Sequence, residues 1–327
     1  MSKALVTGGA GFNGSHMTER LLNEGHEVIV LDNYSTGRPQ TLDDFKDNPN
    51  LTIYELDIAA VPLDEYLVGV DWVFHFAALA DIVPSIKNPD KYFRANVDGT
   101  FNIVQAAHKA NVKKFLYAAS STCYGIPETY PTPETADICP QYPYAFTKNI
   151  GEQTVGHWHQ VYGFPSIVLR MFNVYGPRSR TSGTYGAVFG VFLAQKLAGQ
   201  PFTVVGDGKQ TRDFTFVTDV VDAFLTAARS NLIGETMNVG SGNTYSVNYL
   251  TELLGGEAVH IPKRPAEPDS TYADISKIKA LLGWNPGVSF EEGVKIMLEN
   301  INYWGKAPVW TKDGVADATK EWFEYLK

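Results

Sequence analysis

The chain has 327 residues, with 27 basic against 36 acidic side chains and a formal net charge of −9. That length supports a full hydrophobic core in one large domain or two intimately joined ones. The negative balance gives nucleic acid or an anionic membrane surface no electrostatic reason to bind. Two cysteines, Cys123 and Cys139, form no disulfide framework and fit a reducing compartment. No signal peptide precedes the first apolar run and no apolar stretch reaches membrane-spanning length, so a cytoplasmic protein is expected.

The first element is ALVTGGAGFNG, residues 4–14. A short apolar run, Ala4-Leu5-Val6, ends in Thr7, and glycines recur at Gly8, Gly11 and Gly14. Then comes MTERLLNEG, with Met17, Leu21 and Leu22 at helical spacing and Gly25 as a stop. Strand, glycine turn and helix predict a phosphate-cradling corner. The glycines let the backbone approach a pyrophosphate, and the helix start offers unpaired N–H groups and a positive dipole end. The spacing is G-x-x-G-x-x-G rather than the commoner G-x-G-x-x-G. The next strand, EVIVLD, ends at Asp32, about 20 residues on, where a carboxylate accepts from the adenosine ribose hydroxyls. The same carboxylate repels a ribose 2′-phosphate, so NAD is expected over NADP.

Strands and helices continue to alternate. A turn-rich loop, NYSTGRPQTL, leads to LTIYELD, ending at Asp57; VDWVFHFAA ends at Ala77-Ala78, and KKFLYAASS at Ser120-Ser121. Between the last two, Pro89 to Val112 carries Phe93, Val97, Phe101, Val104 and Ala107 at helical spacing. This alternation predicts an α/β fold, a Rossmann-type doubly wound parallel sheet with its site at the strands' carboxyl ends. A proline-rich loop, Ile126 to Pro143, precedes a helix carrying Tyr144 and Lys148, and SIVLRMFNVYG reads as a sixth strand. The sheet is expected to be re-entered at RDFTFVTDVVDAFLTAA and left after MNVGSG. The nucleotide-binding domain is therefore expected over 1–175 plus about 212–236. A smaller, mixed α/β substrate-binding lid is expected over about 176–211 plus 237–327. Thr319 to Lys327 reads as an amphipathic helix with Trp322, Phe323 and Leu326 on its packing side.

Tyr144 and Lys148, four apart in YPYAFTKNIGE, share one face of a helix. A nearby ammonium favours the charged phenolate, so the tyrosine can take a proton from an alcohol near neutral pH. The hydroxyls of Ser120, Ser121 and Thr122 at a strand end can hold the substrate oxygen beside it. His75, within a strand, reads as a satisfied core histidine, and Cys123 as a buried thiol.

These residues, in this order, resemble the extended short-chain dehydrogenase/reductase family, the nucleotide-sugar epimerases and dehydratases. The resemblance covers nearly the whole chain: TGGAGFNG, LDN, HFAA, NVDGT, ASSTCYG, YAFTK, LRMFNVYGP, GDGKQTRDF, NVGSG and RPAEPDSTYAD. It implies a tightly held NAD that oxidises a sugar hydroxyl and later returns the hydride. The cofactor residues it implies are Gly8, Gly11, Phe12, Asn13, Gly14, Asp32, Asn33, Asp57, Ile58, Ala77, Ala78, Asn96, Tyr144 and Lys148. It implies Tyr144, Lys148, Ser120 and Thr122 as catalytic. Asn173, Arg212, Arg264, Glu267 and Thr271 are implied around a nucleoside-diphosphate sugar, expected to be a UDP-sugar. Two guanidinium groups suit a pyrophosphate bidentately. By the same analogy the helix at 92–112 and the helix after Tyr144 form a homodimer interface. No metal site is expected.

Some positions depart from the family. Asn13 stands where an apolar residue is usual, and its amide must find a hydrogen bond or face water. Ala80 replaces a lysine that some epimerases place near the cofactor phosphates. The family's 4,6-dehydratases carry Asp-Glu where this chain has Ser121-Thr122, and its UDP-glucuronate decarboxylases carry Glu at Thr122. Hydroxyls at their ordinary pKa cannot replace carboxylates in that work. The expected activity is therefore NAD-dependent C4 epimerization of a nucleotide sugar of the UDP-glucose/UDP-galactose type. The rivals are epimerization at C2 or on UDP-glucuronate, a decarboxylase or dehydratase with an altered acid, and a non-catalytic nucleotide sensor. Thr271 falls at the family's gate position. Its small side chain leaves room for an acetamido group, so UDP-GlcNAc/UDP-GalNAc is expected as a second substrate pair.

Overall fold

A computed structural model describes residues 1–179 and 187–326, so the expected insertion 176–211 and the C-terminal helix 319–327 lie partly outside the described residues. Strand β1 (Lys3–Thr7) buries Ala4, Leu5 and Val6 completely, as an interior strand covered by helices on both faces must. Helix α1 (Phe12–Asn23) puts Met17, Leu21 and Leu22 on the sheet and leads into β2 (Glu27–Asp32), β3 (Leu51–Glu55) and β4 (Trp72–His75). The helix expected at 89–112 is built in pieces. After α2 (Ile82–Lys87), α3 (Pro89–Phe93) passes through a π turn at Arg94–Asp98 into α4 (Gly99–Lys109). Such a turn interrupts the 3.6-residue repeat locally, and Asn96 within it is buried. Strand β5 (Lys114–Ser120) is buried along its whole length. Helix α5 (Pro143–Tyr162) opens on proline, where the missing N–H has no intrahelical partner to lose, and β6 (Ser166–Met171) follows.

From here the chain alternates between two bodies. Strand β7 (Val174–Tyr175), α6 (Val188–Leu197), β8 (Phe202–Val205), β9 (Thr211–Arg212) and β10 (Thr215–Phe216) lie outside the main sheet. Re-entry is therefore later than the sequence suggests. In RDFTFVTDVVDAFLTAA the first residues form β9 and β10, and the rest is α7 (Val217–Arg229), whose apolar stripe covers the sheet face. The seventh strand is β11 (Glu235–Val239), three residues past the expected boundary at 236. The main sheet has the order β3-β2-β1-β4-β5-β6-β11, parallel throughout. Its order reverses between β1 and β4, which opens the crevice where such sheets bind ligands.

The remaining elements are β12 (Tyr245–Ser246), α8 (Val247–Leu254), β13 (Ala258–Ile261), α9 (Ser276–Leu282), α10 (Phe290–Glu299), α11 (Lys312–Ala318) and α12 (Lys320–Tyr325). Three cores result. One packs α1 and α7 on one sheet face, and a second packs α4 and α5 on the other. The third is the lid's own, an aromatic cluster in which Phe290 stacks on Phe214 at 5.1 Å and on Tyr245 at 4.4 Å. Part of the segment 237–327 packs with the main sheet. Ala273, Ile275, Ile278 and Trp284 join the first core, because α9 lies against β11 and offers that strand an apolar face. No helix among the described residues is long and apolar enough to cross a membrane.

Candidate active site

The glycine corner is held by backbone contacts. A Cβ on Gly14 would lie 2.1 Å from Gly8 O, and one on Gly8, whose φ is +69°, would lie 2.7 Å from Ala77 N. Helix α1 starts at Gly11 with no side-chain cap and no acid in its first turn, so its positive end is left for an anion. Asn13 answers the question its sequence position raised. Its Nδ2 reaches only the Met171 sulfur at 3.8 Å, and its Oδ1 is a buried acceptor without a partner. Phe12 lines the cavity and packs toward the lid core.

Asp32 ends β2 with one carboxylate oxygen accepting from Ala10 N at 2.9 Å and the other from Tyr34 N at 2.8 Å. Burial raises its pKa, and those two N–H groups oppose the rise. Asn33, Asp57 and Ile58 line the same end of the cavity. Asp57 turns the chain by accepting from Ala59 N at 2.9 Å. Sequence reading passed over Ser35, Gly37 and Arg38, which line this end as well. The available signal was the glycine five residues after Asp32. A Cβ on Gly37 would stand 2.9 Å from both Asp32 oxygens, so glycine keeps the carboxylate accessible. Arg38 brings a cation to the cavity that lacks one at Ala80.

At the end of β4, Ala77 and Ala78 line the cavity, while Asn96 does not. Asn96 is buried behind that wall and acts as a staple. Its Oδ1 accepts from Leu79 N at 2.8 Å, and its Nδ2 donates to Leu79 O and to Thr147 Oγ1, both at 3.0 Å. His75 is satisfied on both nitrogens, by Thr7 Oγ1 at 2.7 Å and Thr100 Oγ1 at 2.9 Å. Burial, and then Lys148, depress its pKa well below the usual range, so it is a neutral core residue. Cys123 is buried at the end of β5, and burial pushes its thiol up to about 12.

Strand β5 delivers Ser120 and, just beyond it, Thr122, whose hydroxyls meet at 2.8 Å. Helix α5 delivers Tyr144 and Lys148 to the same side, and all four line a cavity of about 450 Å³. Their electrostatics differ from the expectation that the ammonium would depress the phenol. Burial raises the pKa of Tyr144, and the Ser120 hydroxyl offsets part of that rise. Burial also pulls Lys148 down to about 7, with Glu152 opposing, and its Nζ sits 4.2 Å from the centre of the Tyr117 ring. Desolvation is the largest contribution for both groups, and it favours both neutral forms.

The residues expected around the substrate are brought together across long sequence separations, but of these only Asn173 lines the cavity. Arg212 Nη2 bonds Glu267 Oε1 at 2.8 Å, and Arg264 Nη1 lies 3.8 Å from Glu267 Oε2. One carboxylate therefore spans two guanidinium groups. Thr271 Oγ1 donates to Asn173 Oδ1 at 2.6 Å and accepts from Asp213 N at 3.0 Å, so its hydroxyl ties the loop to the cavity wall. The sequence reading also passed over Tyr142, whose ring stacks on Tyr144 at 6.4 Å with the planes 11° apart. Among the described residues no cluster of three His, Cys, Asp or Glu side chains could hold a metal.

An open parallel sheet with an uncapped glycine corner, an acid closing its second strand and a Tyr/Lys pair across the crevice defines a dinucleotide-dependent enzyme of the short-chain dehydrogenase/reductase type. The chain belongs to the NAD dependent epimerase/dehydratase family, whose sequence pattern matches residues 4–240, and its cofactor is NAD. It is 34% identical to the UDP-glucose 4-epimerase of Mycolicibacterium smegmatis, over 91% of this chain and 97% of that one. A UDP-N-acetylglucosamine 4-epimerase from Methanobrevibacter ruminantium M1, in complex with UDP-N-acetylmuramic acid, superposes with a TM-score of 0.87 and 31% identity. That match covers 92% of this chain and 98% of the other. The UDP-glucuronic acid 4-epimerase of Bacillus cereus, in complex with UDP-glucuronic acid and NAD, gives 0.86 at 30% identity, covering 92% and 99%.

The residues present fit that cofactor. The glycine corner suits its pyrophosphate, Asp32 its adenosine ribose hydroxyls, and Asn13, on the cavity lining, holds a buried acceptor without a partner.

Proposed function

We propose that this protein is a nucleotide-sugar 4-epimerase acting on UDP-glucose and UDP-galactose, with their 2-acetamido counterparts as a second pair. The observation that carries the reading is the end of β5. Hydroxyls, Ser121 and Thr122, line the cavity with Tyr144 at the positions where a dehydratase or decarboxylase needs a carboxylic acid. The chemistry that NAD supplies when bound is reversible storage of a hydride from C4.

This chain's residues do the rest. Tyr144 takes the proton of the 4-hydroxyl and gives it back after the keto sugar has turned over. Ser120 and Thr122 hold the C4 oxygen through both steps. Lys148, poised near neutrality, supplies positive charge to the phenolate when protonated. Arg212 and Arg264 grip the diphosphate while the sugar rotates, and Asn173 faces it from the cavity wall.

The test is incubation of the purified protein with a panel of nucleotide sugars, followed by NMR without added NAD. A new axial/equatorial pair at C4 is the expected product. Loss of carbon dioxide or water would replace this reading. The protein is also proposed to act as a homodimer. Phe93 and Phe101 on the α3–α4 side and Val161 and Tyr162 at the end of α5 are 41–55% exposed, an apolar face that a second copy would cover. Sedimentation at micromolar concentration is expected to give the dimer mass, and monomer alone would remove the proposal.

A further inference from the structure

The C-terminal helix α12 has no role in the reading above, yet it is seated against the substrate residues. Trp322 is only 3% exposed. Its indole Nε1 donates to Pro265 O at 2.7 Å, the residue next to Arg264, whose guanidinium lies 5.2 Å from the centre of the indole ring. Trp322 also meets the Tyr142 ring at 6.4 Å, and Tyr142 in turn stacks on Tyr144. Glu321 anchors the helix to α2 through Lys87 at 3.1 Å. A buried aromatic face beneath a guanidinium orients it at little cost in hydration, since Arg is weakly hydrated and stacks readily.

We propose that α12 is a wall of the substrate site. Trp322 is the positioning residue that holds Arg264, and through Tyr142 the approach to Tyr144, in their working places. This rests on the reading of Arg264 as a ligand for the substrate diphosphate. A loose arginine would have to be ordered at the moment of binding, and that entropy would be subtracted from affinity. The effect should therefore fall on ground-state binding of the nucleoside diphosphate more than on the chemical step.

The experiment measures UDP binding by calorimetry, and kcat and KM for UDP-glucose, in the full-length protein and in Trp322→Ala and Trp322→Phe. For Trp322→Ala, the Kd for UDP and the KM are each expected to rise about tenfold, with kcat within about twofold of wild type. Its bound NAD should be retained, while Tm falls as expected for loss of a buried indole. Trp322→Phe keeps a ring under Arg264 and loses only the bond to Pro265, so its Kd for UDP should rise about threefold. UDP affinity within twofold of wild type in Trp322→Ala would overturn the proposal. So would a loss of affinity that tracks an equal loss of bound NAD, because that is the signature of a merely structural role. Should Trp322→Ala fail to fold, an unchanged Kd in Trp322→Phe overturns it instead. A wild-type protein that binds UDP but turns over no UDP-glucose would sink the epimerase reading alone, with Trp322 still judged on UDP. One that binds no UDP would sink both.

Discussion

The two halves of this site are built in different ways. The proposed cofactor half is made largely of backbone at the ends of neighbouring strands of one sheet, β2, β1 and β4. Gly8, Gly11 and Gly14 sit on one turn, Asp32 ends the neighbouring strand, and Ala77 closes against Gly8. The proposed substrate half is made of side chains from distant stretches. Arg212 meets Glu267 across 55 residues, and Thr271 meets Asn173 across 98. A backbone site is specified wherever the chain can make the turn. A side-chain site exists only once the lid has folded, and it can be retuned one residue at a time. The two halves should therefore respond to substitution independently.

Chemistry at their junction is the largest effect. Tyr144→Phe should lower kcat by at least ~10²–10⁴-fold, the usual worth of a general base. NAD content and UDP affinity should stay near wild type, since neither half uses the phenol oxygen to fold. More than half the activity remaining would remove Tyr144 as the base.

Gly14→Ala tests the backbone half. Its methyl would stand 2.1 Å from Gly8 O, which cannot move without opening the turn. The variant should purify largely free of NAD, and stability should fall by about 1–3 kcal/mol, the common cost of overpacking. Retention of a full complement of NAD would show that the corner is not rigid.

Arg212→Ala is its counterpart on the side-chain half. A charge-assisted grip on phosphate of the usual strength implies about ten- to a hundredfold weaker UDP binding, with NAD content unchanged. If UDP and NAD binding fall together in either variant, the halves are coupled and the comparison fails.

Thr271→Tyr sharpens the comparison within the lid. The phenol would fill space an acetamido group must sweep, so kcat/KM should drop about tenfold or more for UDP-N-acetylglucosamine and less for UDP-glucose. Because the native hydroxyl also joins Asn173 to the Asp213 backbone, some loss on both sugars is expected. Equal losses, or no wild-type activity on the acetylated sugar, would mean that Thr271 sets no size limit.

The smallest effect concerns stability. Burial holds Lys148 at about 7 in the folded chain, against 10.5 for an ordinary lysine. Between those values the unfolded chain binds the extra proton, so stability rises with pH across that window. Below pH 7 both states carry the proton and the burial penalty is present in full. Lys148→Met should therefore lose activity yet raise Tm at pH 6, with the gain shrinking toward pH 10. A pH-independent difference in Tm would show that Lys148 is not buried at a cost.

What the sequence by itself determined follows the same division. The strand–helix alternation, the parallel sheet, the glycine corner, Asp32 and the Ser120–Thr122 shelf were all legible. Each rests on local rules: a period of two or 3.6, a turn that only glycine allows, a strand end facing the crevice. Only the tertiary structure decided where the sheet is re-entered. Strand β11, ETMNV, carries only two apolar residues, and it is its pairing with β6 under the cover of α7 that makes it a sheet strand. Tertiary structure also decided that Asn96, within a π turn, is buried and bonds the Leu79 backbone. It reversed the electrostatic expectation for Tyr144 and Lys148 as well. Spacing on a helix gives proximity, whereas the charge a group carries depends on how much water the rest of the fold removes from it, which no four-residue pattern encodes. The seating of Trp322 under Arg264 belongs to the same class. It joins the last helix to a loop 57 residues earlier, a contact that exists only because the lid closes on itself.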